Sequence, residues 1–230
     1  MSPRRRILTG LTGVALMLVA ACNGGDDAPT LNLQLIAATR EVVAAKTAAK
    51  TQRPPVTRAV LDTLEGSFME VSVENTDRLG YFYVSAVLRD NTPGDIVVWR
   101  SEDNITLSLR NDVLIATRGL GNDLMSTEVA IRDGMPGPAT GGARRAYYRA
   151  RDNKQVPVTL ACSRTDMGSE TIVIVERNHP TQHIREQCQG GGGPVVNDYW
   201  IDSRTGLIWQ SRQWAGPENG YLRLRRLTNG

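Results

Sequence analysis

A chain of 230 residues with 27 Lys plus Arg against 24 Asp plus Glu carries a formal charge of +3. Arg4, Arg5 and Arg6 account for all of it, and they stand in an N-terminal segment that reads as a cleavable export signal. The remainder is close to neutral, which leaves no electrostatic footprint for nucleic acid, and 40% hydrophobic residues exclude collagen-like and disordered classes.

Ser2 to Arg6 is a short basic head, and Ile7 to Ala21 is an apolar run diluted by Thr9, Gly10, Thr12 and Gly13. The run falls short of the roughly 20 apolar residues of a comfortable membrane span, so residues 1–21 read as a signal peptide. Its ending, Leu18-Val19-Ala20-Ala21-Cys22, resembles the lipobox of bacterial lipoproteins. The small Ala20 and Ala21 fit a peptidase cleft, and Cys22 is the expected lipid attachment site and mature first residue. Each buried methylene contributes about 0.8 kcal/mol, so two or three acyl chains anchor where one holds only marginally. Three arginines suit either the twin-arginine or the general export route. By resemblance to lipoprotein sorting rules, Asn23 in place of Asp favours the outer membrane, with the domain facing the periplasm. Residues 22–30, with Gly24, Gly25, Asp26, Asp27 and Pro29, read as a flexible tether.

Leu31 to Lys50 is rich in Ala and long side chains and predicts a helix, stopped before Pro54-Pro55. Thr57 is placed to cap a short second helix through Leu64, with Gly66 just past its end. From Phe68 the period changes to two: Met69, Val71 and Val73 alternate with Glu70, Ser72 and Glu74. Further strands are predicted over Tyr81–Leu88, Ile96–Trp99, Ile105–Leu109 and Val113–Thr117, the last two joined by an Asn111-Asp112 turn. Asp133 to Gly142 reads as a loop. Strand signals resume at Ala146–Arg151, Val156–Cys162, Thr171–Glu176, Val195–Ile201, Leu207–Trp214 and Tyr221–Leu227. Strands arriving about every 8 to 12 residues predict an antiparallel sandwich or barrel-like fold with one or two N-terminal helices. Residues 31–230 form a single mostly-β domain on this reading.

Setting Cys22 aside leaves Cys162 and Cys188, an even pair in an exported chain, which reads as a structural disulfide. Closing a loop of about 26 residues contributes roughly 3–4 kcal/mol in the chain-entropy model. A redox couple lacks the C-x-x-C spacing. His179 and His183 are four apart, but Pro180 pushes His179 from helical angles, so they read as loop histidines rather than metal ligands. Gly190 to Gly193 leads to Pro194 without a P-loop Lys, and no G-x-S-x-G elbow occurs. Glu170, Glu176, Glu186, Asp198 and Glu218 cannot be sorted into an acid/base pair by spacing. No cofactor, metal or catalytic residue is expected.

Trp200, Trp209 and Trp214 crowd the last stretch with Tyr199 and Tyr221. On a strand Tyr199 and Trp200 point to opposite faces, and Trp209 and Trp214, five apart, likewise diverge if the strand continues. Such rings either pack a core or stack on sugars. Arg212, Arg223, Arg225 and Arg226 add local positive charge, free to meet an acidic polymer or merely solvated.

Two stretches, Trp99 through Asp123 and Cys188 to the C-terminus, carry a resemblance to the YjbF/GfcB lipoprotein family of exopolysaccharide and group-four capsule loci. Within them stand Asn111-Asp112-Val113-Leu114-Ile115-Ala116-Thr117-Arg118-Gly119-Leu120-Gly121-Asn122-Asp123, Tyr199-Trp200-Ile201-Asp202, Thr205-Gly206 and Trp209-Gln210-Ser211-Arg212-Gln213-Trp214-Ala215-Gly216-Pro217. The resemblance implies a predominantly β fold and a role in polymer secretion or assembly, and transfers no catalytic residue. The leading expectation is a non-enzymatic outer-membrane lipoprotein that contacts glycan or the export machinery. The candidate contact residues are Trp99, Thr117, Gly119, Leu120, Asp123, Tyr199, Trp200, Trp209, Gln210, Gln213, Trp214, Gly216 and Pro217. A periplasmic polymer-modifying enzyme and a purely structural envelope adaptor are the alternatives.

Overall fold

The computed structural model describes residues 56–150 and 152–229. Cys22, the tether and the helix expected over Leu31–Lys50 lie outside the described residues. Thr57 caps the short helix α1 (Arg58–Leu61): its side chain accepts the Val60 N–H, as its position predicts. Twelve strands follow: β1 (Phe68–Val73), β2 (Arg78–Leu88), β3 (Ile96–Ser101), β4 (Thr106–Arg110), β5 (Val113–Arg118), β6 (Leu124–Glu128), β7 (Gly142–Arg149), β8 (Gln155–Ile174), β9 (Arg177–Gly190), β10 (Val195–Asp202), β11 (Ile208–Trp214) and β12 (Tyr221–Arg226).

All twelve form one sheet in the order β5-β4-β3-β2-β1-β12-β11-β10-β9-β8-β7-β6. Every pairing is antiparallel, and the first and last strands meet in its middle, with Val71 opposite Leu224. The sheet curls into a nearly closed barrel, because its outermost strands, β5 and β6, are brought together by the loop of residues 119–123. Alternation decides what is inside: Met69, Val71 and Val73 are buried, and Phe82, Trp99, Leu107, Leu109, Leu222 and Leu224 join them in the main core. The outward rows carry Arg185 beside Asp198, Arg212 and Arg223 beside Glu74, and Arg225 beside Glu70. An apolar interior within a charged wall reverses what a membrane-spanning barrel needs.

The two barrel ends differ. At one, which we call the lower end, the segment of residues 129–141 crosses the mouth. Asn111 Nδ2 donates to the carbonyls of Met135 and Gly137, and a Cβ on Gly137 would touch Ile208 and Tyr199. The loop expected over Asp133–Gly142 is therefore a cover for the core. The opposite, upper end carries the β5–β6, β7–β8, β9–β10 and β11–β12 connections.

Two sequence expectations are corrected. The strand predicted over Thr171–Glu176 is the far end of the much longer β8, and the segment holding His179 and His183 is a strand, β9, not a loop. Pro180 is tolerated because the β10 ladder begins at Asp202 opposite Thr181, so Pro180 stands just past its end. Beyond the barrel the β8–β9 hairpin packs Ile172 and Ile174 with Leu61 and Leu227 into a satellite core, against which Trp200 and Trp209 rest. Arg58 of α1 fastens it, donating to the carbonyls of Ile174, Val175 and Leu227.

Candidate functional site

The Thr117–Asp123 stretch is the clasp of the barrel. Asp123 is buried, and its carboxylate accepts from the Thr117 hydroxyl (3.0 Å) and from the N–H groups of Gly119 and Leu120 (both 3.1 Å). Thr117 Oγ1 in turn accepts the Leu124 N–H at 3.0 Å, a side-chain bridge from β5 to β6. Arg118 completes the seam by donating to the carbonyls of Leu124 and Met125. Gly119, at φ +89°, makes the turn that points two successive N–H groups at one carboxylate.

Gln213 is a strut across the interior. It is fully buried; its Oε1 accepts from Leu114 N–H at 2.8 Å and from Tyr199 OH at 3.2 Å, and its Nε2 donates to the Asp112 carbonyl and Ser211 Oγ. Burial, with the Glu186 carboxylate nearby, pushes the Tyr199 hydroxyl pKa well up, so it stays a donor. Glu186 is itself buried, paired with Arg144 at 2.8 Å and accepting from Asn197. Trp99 is wholly enclosed, with the Arg226 guanidinium 5.1 Å from its ring centre. Trp99, Thr117, Asp123, Tyr199 and Gln213 are thus interior residues that hold the barrel's shape.

The outer wall carries Trp200, stacked on His183 at 4.7 Å, with its Nε1 donating to Glu170 at 2.7 Å. Tyr199 inside and Trp200 outside agree with strand alternation. Trp209 lies 3.9 Å from the His179 ring and donates to Asp202. A register shift between Trp200 and Ile201 interrupts the parity expected from Trp209 to Trp214, and sets Gln210 directly opposite Trp200. His183 Nε2 stands 2.8 Å from Asp198, which also accepts from Arg185. Burial and the nearby Arg58 and Arg177 push the His179 pKa down. The four C-terminal arginines are not a free basic patch: Arg212 and Arg223 share Glu74, Arg225 holds Glu70 and Arg226 holds Asp112.

Cys162 and Cys188 face each other across β8 and β9 and are disulfide-bonded. Among the described residues they and Glu186 form a cluster at coordinating distance, but each sulfur is spent on the other.

What remains of the candidate surface converges on the upper end. Asn219 Nδ2 donates to the Asn122 carbonyl at 2.6 Å, so the β5–β6 loop with Gly119 and half-buried Leu120 touches the β11–β12 loop with Gly216 and exposed Pro217. Trp214 stands beside them, edge-on to Tyr221 at 5.1 Å. Gly216, at φ +121°, lies so close to Tyr148 that a Cβ would come within 2.7 Å of its ring. Sequence reasoning named both loops without their contact. Asn219 escaped it: one amide two residues past Pro217 carries no pattern.

The fold has a solved counterpart in the hypothetical lipoprotein YmcC from Escherichia coli (K12), with a TM-score of 0.67 at 20% identity over 90% of this chain and 99% of that one. The chain is also 30% identical over 124 residues to the uncharacterized lipoprotein GfcB of Escherichia coli (strain K12). That alignment takes in 51% of this chain and only 58% of the relative. Residues 30–227 match the family described as group 4 capsule polysaccharide lipoprotein gfcB, YjbF, and the chain belongs to that family.

Proposed function

We propose that the protein is an outer-membrane lipoprotein, anchored through Cys22 and facing the periplasm, that assists secretion or assembly of an exopolysaccharide or capsule without chemistry of its own. Its working surface is the upper rim, where Leu120, Gly121, Asn122 and Pro217, held together from beneath by buried Asn219, present backbone polar groups and small apolar groups to a glycan or to a protein of the export machinery. The observation that carries this reading is the Asn219–Asn122 hydrogen bond, which joins two sequence-distant loops into one surface on a rigid barrel. The family description and the lipoprotein names of the relatives support the capsule context and the anchor.

The test is genetic and biochemical. Deleting the gene is expected to lower secreted polysaccharide, Asn219→Asp with Pro217→Arg to restore it poorly, and Cys22→Ser to release the protein from the membrane fraction. Unchanged polymer output in the deletion strain would overturn the role.

A further inference from the structure

Among the described residues, the outer half of β8 has a neighbouring strand on one side only. β7 pairs with β8 as far as Cys162, opposite Gly142, whereas β9 continues alongside β8 to Ile174. Among the described residues no strand lies against the other edge of Ser163–Ile174. Residues 165–171 and Val173 are exposed, Met167 at 49% and Val173 at 57%. An open edge is a template for another strand, and proteins usually blunt one with lysine, proline or a bulge. Here the register shift between Asp166 and Gly168 bends the strand once. Beyond it, Gly168–Ile174 has neither lysine nor proline on the edge. Its one charge, Glu170, is held on the wall by Trp200 and His183.

The backbone of this segment is set in advance. Val175 and Glu176 make the two-residue turn with φ of +43° and +65°, a conformation that a β-branched residue adopts only under constraint. Arg58 supplies the constraint by holding the carbonyls of Ile174 and Val175. Such a turn closes on a hydrogen-bonded Ile174–Arg177 pair, so alternate residues back from Ile174 bond to β9. Ser169, Thr171 and Val173 therefore direct their N–H and C=O groups to the open side. The Val173 carbonyl fits this direction, since Arg225 of the barrel wall reaches it at 3.2 Å.

We propose that Gly168–Ile174 is a dimerisation edge that pairs antiparallel with the same segment of a second copy of this chain, about a two-fold axis at Thr171. In that register each Thr171 donates to and accepts from its counterpart, and Ser169 does the same with Val173 of the second copy, whose carbonyl accepts on the lone pair that Arg225 leaves free. Glu170 falls opposite Ile172, so no two carboxylates meet, and the exposed Val173 gains cover. The bulge at Met167 ends the pairing on one side and the turn ends it on the other, which limits the contact to a closed dimer rather than a fibre. The inference does not depend on the polysaccharide role.

The test uses the full mature-length chain with Cys22→Ser, which carries no lipid. Sedimentation equilibrium is expected to show a concentration-dependent dimer, and Thr171→Cys to yield a covalent dimer under oxidising conditions. Thr171→Pro removes only an N–H that the barrel does not use and should weaken self-association tenfold or more with unchanged near-ultraviolet circular dichroism. Val173→Lys should do the same should the proline variant not fold. A monomer throughout the concentration range, a dimer indifferent to these substitutions, or Thr171 amide protection in membranes without Thr171→Cys cross-linking would each overturn the proposal.

Discussion

Replacing Gln213 by Leu keeps the volume of the strut and deletes its polar atoms. Leu114 N–H, the Tyr199 hydroxyl and the Asp112 carbonyl then lose their partner inside the barrel. Stranding buried groups costs about 1–3 kcal/mol each, so a total loss of about 3 kcal/mol is a conservative expectation. For a domain of this size that lowers Tm by about 6–12 °C, measurable by calorimetry. His179 gives a pH signature. Its pKa is depressed in the folded state, so as pH falls through the ordinary histidine range the unfolded chain takes up the proton first and stability declines. Urea midpoints are expected to drop between pH 7.5 and pH 5, and His179→Phe should remove part of that drop. The phenyl ring keeps the contact with Trp209, and His179 Nε2 has no hydrogen-bond partner to lose.

The connection between β11 and β12 needs glycine twice, at Gly216 and at Gly220, both at positive φ and both without room for a Cβ. Gly216→Ala must hold a side chain at φ +121° and push it into the Tyr148 ring, and we expect a loss of about 1–3 kcal/mol in denaturant titrations. The Gly220 amide, which donates to the Gly216 carbonyl, should also lose protection in hydrogen exchange as the loop opens. The elements show what a one-dimensional pattern can carry. β1, β4, β5 and β12 were legible because one face is buried and the other wet, so Met69-Val71-Val73 or Leu107-Leu109 announce themselves. The far half of β8 was not, because Arg164 to Thr171 leaves the barrel and buries neither face, and without burial there is no alternation to read. β6 also went unread, a short strand at the seam whose Ser126, Thr127 and Glu128 answer to their neighbours rather than to a core. At the candidate site, parity separated Tyr199 from Trp200 correctly, but parity does not say which face is inward. Gln213 and Asp123 look like surface residues in the sequence, and only the closing of the barrel makes them internal.

At the scale of the molecule, the sheet is built from both ends of the chain: β1 and β12 sit side by side at its centre, and the sequence's middle, at β5 and β6, forms the seam. Synthesis delivers β1 long before β12. Until the closing residues arrive, the early strands hold half a cylinder with an empty slot beside Met69, Val71 and Val73. Folding of the whole should thus wait on the last segment delivered and be slow, because the pairing of β1 with β12 joins the two ends of the domain. A chain stopped before Tyr221 loses only β12 and its short tail, yet it should be degraded in cells and digested by trypsin throughout, not nibbled at one end. The two halves would be left facing each other with no keystone between them.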